Sequence, residues 1–597
     1  MKERILYLLK TYLWTVAVFI AAKMVFMLFC REGHDFTMGD VSDVVVHGLT
    51  LDLSTALYFL IVPFLISIVS MWIRVPRWLT NGYFLLISVA LSLAFVADTS
   101  LYPFWNFKLD ASCLQYLETP TEAMASVTTG YILVRLVILV ILVILVFLGY
   151  TRPKVRFLPT RHRLAGSVAA LLCVPLIVIG IRGGIGDATT NIGQVYYSQN
   201  QFLNHSAVNP VFSFFYSLGH QFDDFSHYDF YDDATCTQLT ASVFTTESID
   251  SDTLLTTQRP HVVVILLEGA GEEFAHVMPY LQQLKGEGVS FSHCYANSWR
   301  TDRGTVSTLS GYPSFPTVSV MKVPEKSRLL PSIAGRLKDK GYATSYLYGG
   351  DANFTNMRSY LYSTGWDRLT DVKDFPPEAQ HTGQWGVRDD ITFKTLQKEM
   401  TACAVDDTPH LWGYSTLSSH EPWDVPVKKH DDEVLNSFAY LDDCLRDFVE
   451  GLRRTTLWSR LLIVITADHG INYKQIDNAT PLQKNHIPLL WVGGAVKQPY
   501  TVSALCNQSD LAATLLHQLG LPHDDFPFSR DVLSHSYSYP VAVHNYNNAQ
   551  WLIDSTGHVL YDFDSQHVVV SEGADTERLL RLSKAILQET AKDFKNR

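Results

Sequence analysis

Five apolar runs within the first 182 residues constrain this chain more than any other feature. A helix needs roughly 20 apolar residues to cross a bilayer, and the runs at about 5–29, 49–73, 79–100, 131–150 and 164–182 meet that length. Five of them so close together read as membrane spans, not as buried helices of a soluble core. The first is expected to be retained: it is long for a leader, ends without a small-residue cleavage site and is followed by another span.

Loop charge gives the expected orientation, because basic residues stay on the cytoplasmic side. Lys2, Arg4 and Lys10 flank the first span, and Arg74 and Arg77 separate the second from the third. Arg152, Lys154, Arg156, Arg161 and Arg163 lie between the fourth and fifth. The alternate loops, about 30–48 and 101–130, are acidic or nearly neutral. The arrangement that fits has a cytoplasmic N-terminus and everything after residue 183 outside.

Of 47 Lys/Arg and 59 Asp/Glu, 15 and 10 fall in residues 1–182, leaving 32 and 49 beyond, a net of −17. An acidic surface of this kind excludes nucleic acid as the main partner, since a phosphate backbone needs a basic face. Five of the eight cysteines (Cys236, Cys294, Cys403, Cys444, Cys506) would lie outside without CxxC spacing, and read as free thiols.

Four segments are expected: a five-helix transmembrane domain over 1–183, an interfacial linker over 184–258, a catalytic domain over 259–538, and a β subdomain with a helix over 539–597. The connector is polar and aromatic. Its stretch 196–218 reads either as a short helix along the membrane surface or as plain linker. From 261 the texture is α/β. HVVVILL at 261–267 is a continuous apolar run, as for a strand buried on both faces, and 343–348, 410–416, 461–466 and 488–492 repeat it between helix-like segments. That alternation predicts a mostly parallel sheet wrapped by helices. The tail, 539–570, reads as short alternating strands (VAVHNY, AQWLID, HVLYDF, HVVV) of an antiparallel subdomain, and 576–595 as a helix.

In open α/β sheets ligands bind beyond the carboxyl ends of the strands, so residues just after each strand come first. Glu268 follows HVVVILL, Asp468 and His469 follow LLIVITA, His420 ends YSTLSSH, and Asp351 and Asn353 come after YLYGG. Carboxylates with an imidazole suit Mn, Zn or Fe, and the oxygen-rich balance tilts toward Mn or Mg. Solvated loop residues are the plain alternative.

The order VILLEG, NSWRTDRGTVSTLSGYP, STLSSHEPW, AYLDD, ITADHG and NHIPLLWVGG, behind five spans, resembles the lipoteichoic acid synthase and sulfatase-like group of the alkaline phosphatase superfamily. The resemblance implies a sulfatase-like α/β fold. It also implies a threonine nucleophile at Thr301 and metal ligation by Glu268, Thr301, Asp468 and His469, with Mn as the expected ion and Mg or Zn as alternatives. His420 would steady the phosphoryl oxygens or protonate the leaving alcohol. Aligning Gly304 and the turn at 311–313 favours Thr301 over Thr305. Where lipoteichoic acid synthases carry His before Gly-Asn, this chain has Tyr348 before Gly349-Gly350, and their downstream Trp and Arg have no clear match, although Arg358 lies close.

A threonine hydroxyl is a poor nucleophile until coordination lowers its pKa. Thr301 also suits the N-cap of the helix that follows, where an anion is welcome as well. Arg300 and Arg303 offer guanidinium forks for phosphate or ion pairs with Asp302. Trp385 and Asp389, in QWGVRDD, offer an aromatic wall and an acceptor for a polar headgroup, or core packing. His486 is expected either in the phosphate pocket or as a structural histidine before a strand. Asp351, Asn353 and Arg358 complete the expected substrate pocket.

The expected activity is transfer of a phospholipid headgroup phosphate, glycerophosphate or phosphoethanolamine, to a glycan or lipid acceptor through phospho-threonine. The resemblance places it at a bacterial cytoplasmic membrane with the catalytic domain periplasmic or extracellular. Sulfuric or phosphoric ester hydrolysis is one alternative, weakened because Thr301 cannot become formylglycine. A non-catalytic lipid sensor of the same fold is another.

Overall fold

A computed structural model describes residues 2–31, 35–105, 108–109, 111, 113–114, 129–152, 157–186, 189–198, 200–219, 228–244, 250–403, 408–471, 473, 484–546, 549–563 and 566–597. Lys154, Arg156 and most of the 101–130 loop used in the orientation argument lie outside these residues. The chain divides into two compact units, Met1–Phe222 and Asp223–Arg597.

The first unit carries five helices long and apolar enough to cross a membrane: α1 (Lys2–Phe29), α2 (Met38–Val69), α3 (Arg77–Trp105), α4 (Thr129–Thr151) and α5 (Arg163–Arg182). The chain is a membrane protein. α2 starts well before its apolar run because Thr37 and Asp40 form a reciprocal capping box that satisfies the first backbone donors. The Arg4 guanidinium donates to Ser70 Oγ at 3.2 Å and to the Leu158 carbonyl at 2.6 Å, so the start of α1, the end of α2 and the stretch before α5 share one end of the bundle. At the other end, Lys23 of α1 pairs with Asp52 of α2, both fully buried. Asn209 donates to the same carboxylate at 2.8 Å, and the Tyr102 hydroxyl meets His205 Nδ1 at 3.0 Å. These two contacts fasten the short helices α6 (Gln201–Ala207) and α7 (Pro210–Gly219) to the bundle, so the expected 196–218 stretch contains two short helices.

The second unit is built on an eight-stranded sheet: β1 (His261–Leu267), β2 (Val289–Tyr295), β3 (Ala343–Tyr348), β4 (Arg368–Thr370), β5 (His410–Ser415), β6 (Leu461–Ala467), β7 (Leu489–Val492) and β8 (Tyr500–Asn507). Their order is β4-β3-β5-β1-β6-β7-β2-β8. All neighbours run parallel except β7, which is antiparallel to both β6 and β2. Every residue of β1 and β6 is buried, as expected of central strands covered on both faces. β1 and β6 pair in register from His261–Leu461 to Leu267–Ala467, so Glu268 and Asp468 leave the sheet side by side.

The tail forms a separate antiparallel sheet, β9 (Ala542–Tyr546), β10 (Ala549–Asp554), β11 (Gly557–Asp562) and β12 (His567–Gly573), in sequential order. A C-terminal helix, Thr576–Asn596, packs Leu579, Leu582 and Ile586 on Val543, Leu552 and Val559 of that sheet.

Candidate active site

Four of the candidate residues gather where β1 and β6 end. Glu268, Asp468 and His469 are buried and offer ligand atoms that all lie within 4.8 Å of one another. Thr301 opens the helix Thr301–Ser310, so its hydroxyl lies at the positive dipole end of that helix. Its Oγ1 lies 3.2 Å from Glu268 Oε2 and 3.4 Å from His469 Nε2.

Neighbouring backbone orients each of these groups. Asp468 Oδ1 accepts from the N–H of Gly269 at 2.9 Å and of His469 at 2.8 Å. Its Oδ2 is buried and finds no donor. His469 Nδ1 sits 3.0 Å from the Gly470 carbonyl, which can only accept, so Nδ1 carries the hydrogen and Nε2 is the nitrogen that faces the carboxylates. The Glu268 N–H donates to Thr416 Oγ1, and the Glu268 carbonyl accepts from Ser419. These bonds bind the corner to the segment carrying His420.

The electrostatics are those of two buried carboxylates drawing positive charge toward them. Burial pushes Asp468 up to about 7, with the Glu268 charge adding to it. Burial also works against charge on Glu268, but the hydrogen bond and charge of His469 outweigh it and hold the carboxyl below its ordinary range. His469 resists its own burial and stands at about 10 because Asp468 and Glu268 favour its cation. An orphaned carboxylate oxygen, a second carboxylate, an oriented imidazole and a hydroxyl make a donor set that fits a divalent cation. Glu268, Thr301, Asp468 and His469 would hold it.

Contacts distant in sequence lock this geometry. Gln508 donates from Nε2 to the Asp468 carbonyl at 3.0 Å and to Thr308 Oγ1 at 3.2 Å, while its Oε1 accepts from the Asn297 N–H at 2.8 Å. One buried amide thereby ties the Asp468 strand end to the loop before Thr301 and to the Thr301 helix. From β9, Asn545 donates its N–H to the Asn297 carbonyl at 2.9 Å, and His544 Nδ1 bonds the Ala296 carbonyl. Burial, with the charges of His469 and Arg303 adding to it, pushes His544 down to about 4. Gly304 completes the fit: a Cβ there would meet the Asp468 carbonyl oxygen at 1.9 Å, so only glycine lets the helix approach this closely.

The remaining expected residues are dispersed. His420 lies beside a pocket whose walls include Trp385, Ser418 and Arg388. Its Nδ1 hydrogen points to the Glu421 carbonyl at 2.8 Å, leaving Nε2 free of that bond. Trp385 packs on His420 at 4.5 Å between ring centroids. Arg303 donates to the carbonyls of Phe315, Pro316 and Thr317, so its fork is committed to a loop. Arg358 pairs with Asp371 and donates to Asn353 Oδ1, whose own N–H caps on Asp351. Asp389, fully buried, accepts from the N–H groups of Leu417 and Ser418 and so braces the segment leading to His420. Arg300 is exposed against the Trp299 ring. His486 bonds the Ser292 carbonyl and stacks on Tyr295, against β2. The structure therefore brings Glu268, Thr301, Asp468 and His469 together, with His420 near enough for its charge to act on Glu268. Tyr348 is buried near the charges of Glu268 and Asp468, which, after burial itself, push its hydroxyl upward.

This arrangement defines a class: an α/β domain whose sheet ends in a cation-ready cluster with a threonine hydroxyl at its centre. Residues 260–521 match the family model described as Sulfatase, and this stretch has a sulfatase-like α/β fold. Phosphoglycerol transferase I of Xanthomonas campestris pv. campestris (strain B100) is 26% identical over 283 residues, 44% of this chain and 40% of the relative. Lipoteichoic acid synthase 2 of Bacillus subtilis (strain 168) is 24% identical over 300 residues, 45% of each chain. The chain thus spans less than half the length of these curated relatives. Among solved structures, a protein in the alkaline phosphatase superfamily from Vibrio parahaemolyticus matches with a TM-score of 0.54 and 25% identity, over 62% of this chain and 97% of that one. A lipoteichoic acid synthase from Listeria monocytogenes shares the fold at a TM-score of 0.51 and 16% identity, over 61% and 98%.

Proposed function

We propose that this protein transfers a phosphoglycerol group from a membrane phospholipid to an acceptor alcohol, through a covalent phospho-threonine at Thr301, on the outer face of a bacterial cytoplasmic membrane. The observation that carries the reading is the position of Thr301 Oγ1, at a helix N-terminus and 3.2 Å from Glu268. The names of the relatives, phosphoglycerol transferase and lipoteichoic acid synthase, support the choice of group. A divalent cation, Mn by the oxygen-rich donor set, would lower the pKa of the threonine hydroxyl and offset charge on the phosphoryl oxygens.

The chain's own groups then divide the work. Thr301 Oγ1, its proton released to solvent beforehand, attacks phosphorus as the alkoxide, and the bond from phosphorus to the diacylglycerol oxygen breaks. His420 Nε2 gives the leaving oxygen its proton. In the second half, an acceptor hydroxyl gives its proton to His420 Nε2 and attacks phosphorus, and the electron pair of the breaking bond returns to Thr301 Oγ1. The N–H groups opening the Thr301 helix steady the charge on the phosphoryl oxygens. Anchoring by five spans keeps the enzyme in the membrane that holds its donor, raising the effective concentration.

The test is turnover of a fluorescent-headgroup phospholipid with added Mn by the full chain and by Thr301→Ala. Loss of headgroup release in the variant is expected. Release at the wild-type rate would remove Thr301 from the reaction.

A further inference from the structure

Two cysteines away from the cation-ready cluster face one another. Cys294 on β2 and Cys506 on β8 are direct partners in the parallel pairing of those strands, with His293 opposite Leu505 before them and Tyr295 opposite Asn507 after them. Paired strands lie about 4.8 Å apart, and side chains alternate faces along each, so two opposed residues share one face. A disulfide bridges α-carbons about 4.4–6.8 Å apart, a range that this spacing meets. Both side chains are fully buried, both are thiols in this structure, and a hydrogen bond joins them. Cys236, by contrast, has oxygen neighbours, the Ala585 carbonyl and the Glu589 carboxylate. Spacing in the sequence reads all of these as free thiols, and it is the strand register that pairs Cys294 with Cys506.

The pair stands directly before two strand ends that hold the candidate site. One residue on, Asn507 donates to the Tyr295 carbonyl at 3.0 Å. Gln508 then accepts from the Asn297 N–H at 2.8 Å and donates to the Asp468 carbonyl. A bond between the two sulfurs would fix the β2–β8 register from which both segments start.

Reactivity sets when such a bond can form. The thiolate is the species that attacks a disulfide. Burial pushes the Cys294 thiol well above its ordinary range, and the hydrogen bond to Cys506 adds to it. Once β2 and β8 are packed, the thiols are therefore slow to exchange, and a bond made earlier is shielded from reductant.

We propose that Cys294 and Cys506 form a disulfide as the second unit folds, locking β2 to β8. The oxidant is a disulfide, carried by an exported thiol–disulfide oxidoreductase or by a small molecule. One cysteine thiolate attacks it and expels one of its sulfurs as a thiol. The second cysteine thiolate then attacks the mixed disulfide, the Cys294–Cys506 bond forms, and the other sulfur of the oxidant leaves. Two protons and two electrons pass from the cysteines to the oxidant, which ends as two thiols. The proposal rests on the outer placement of this unit, where such oxidants act, and is independent of the transfer chemistry.

The test uses the full chain in bacterial membranes, quenched in acid, alkylated with N-ethylmaleimide in denaturant without reductant, and digested with trypsin. Peptides 286–300 and 498–530, each with one cysteine, are expected as a linked pair that separates on reduction. Trypsin added to intact spheroplasts reports placement in the same cells. Full alkylation of both peptides with the second unit cleaved would overturn the disulfide, whereas full alkylation with that unit protected would overturn the placement and the disulfide with it. In purified protein the link should survive dithiothreitol under native conditions and be lost in denaturant; loss under native conditions would contradict the shielding. Thermal midpoints of Cys294→Ala, Cys506→Ala and the double variant give a second readout. The bond closes a loop of roughly 210 residues, so each single variant should fall by at least about 5 °C and by most of what the double variant loses. Strictly additive losses would show two separate thiols and overturn the proposal.

Discussion

Gly304→Ala isolates the claim that the site works by close placement of a helix against a strand end. The added Cβ would lie 1.9 Å from the Asp468 carbonyl oxygen, whereas ordinary contact begins at 3.4 Å. The obstacle is backbone, so the helix must retreat by about 1.5 Å, and with it Thr301, three residues away on the same helix. A misplacement of about 1 Å at a reacting group costs on the order of 100-fold in rate. Headgroup release from a fluorescent phospholipid should therefore fall at least that far. Overpacking of this kind costs typically about 1–3 kcal/mol, so the chain should still fold, with a lowered thermal midpoint. Gly286→Ala, where a Cβ would meet nothing within 4 Å, is the control and should behave as wild type. A Gly304→Ala enzyme within threefold of wild-type turnover would refute the placement argument.

Gln508→Ala should weaken activity and loosen the site together, because one amide serves Asp468, Thr308 and Asn297. Isothermal titration with Mn is expected to show weaker binding than wild type, and identical affinity would limit Gln508 to packing. Lys23→Met leaves the Asp52 carboxylate buried without its cation, at a cost of about 3–5 kcal/mol. A scanning fluorimetry midpoint that falls in Lys23→Met and recovers in Lys23→Met/Asp52→Asn is expected, and no recovery would contradict the pairing. Burial pushes Asp389 up to about 6 from 3.8. The native state thus keeps a proton that the unfolded chain loses first, and stability of about 3 kcal/mol, present below pH 4, is lost as pH rises to about 6. Asp389→Asn should flatten this part of the midpoint-against-pH curve, and an unaltered slope would show that another group carries it.

Sequence revealed most where burial is complete. β1 and β6 are continuous apolar runs because both faces are covered, and the candidate ligands Glu268 and Asp468-His469 come directly after them. The five spans were equally plain, since lipid imposes length and apolarity together. β2 (VSFSHCY) and β8 (YTVSALCN) were not, because their partial exposure mixes polar residues into the strand. The reversed direction of β7 depends on how the chain returns to the sheet, which local pattern does not encode. In the site, the commitments of Arg303 to a loop and of Arg358 to Asp371 were hidden, since a guanidinium reads alike whether it serves phosphate or carbonyls. His544 and Gln508 were hidden for a different reason: their bonds to Ala296 and Asn297 span more than 200 residues of the chain. A polar residue after β8 and another in β9 were the only available signals.

The central claim is that a headgroup phosphate passes through Thr301. The direct measurement is the intact mass of the protein, with peptide mapping of the Thr301 segment, after trapping with crude membrane phospholipids. A phosphoglycerol adduct is expected on the peptide containing Thr301 and none in Thr301→Ala. An adduct on another residue, or headgroup release by the wild-type protein with Thr301 unmodified throughout, would contradict it.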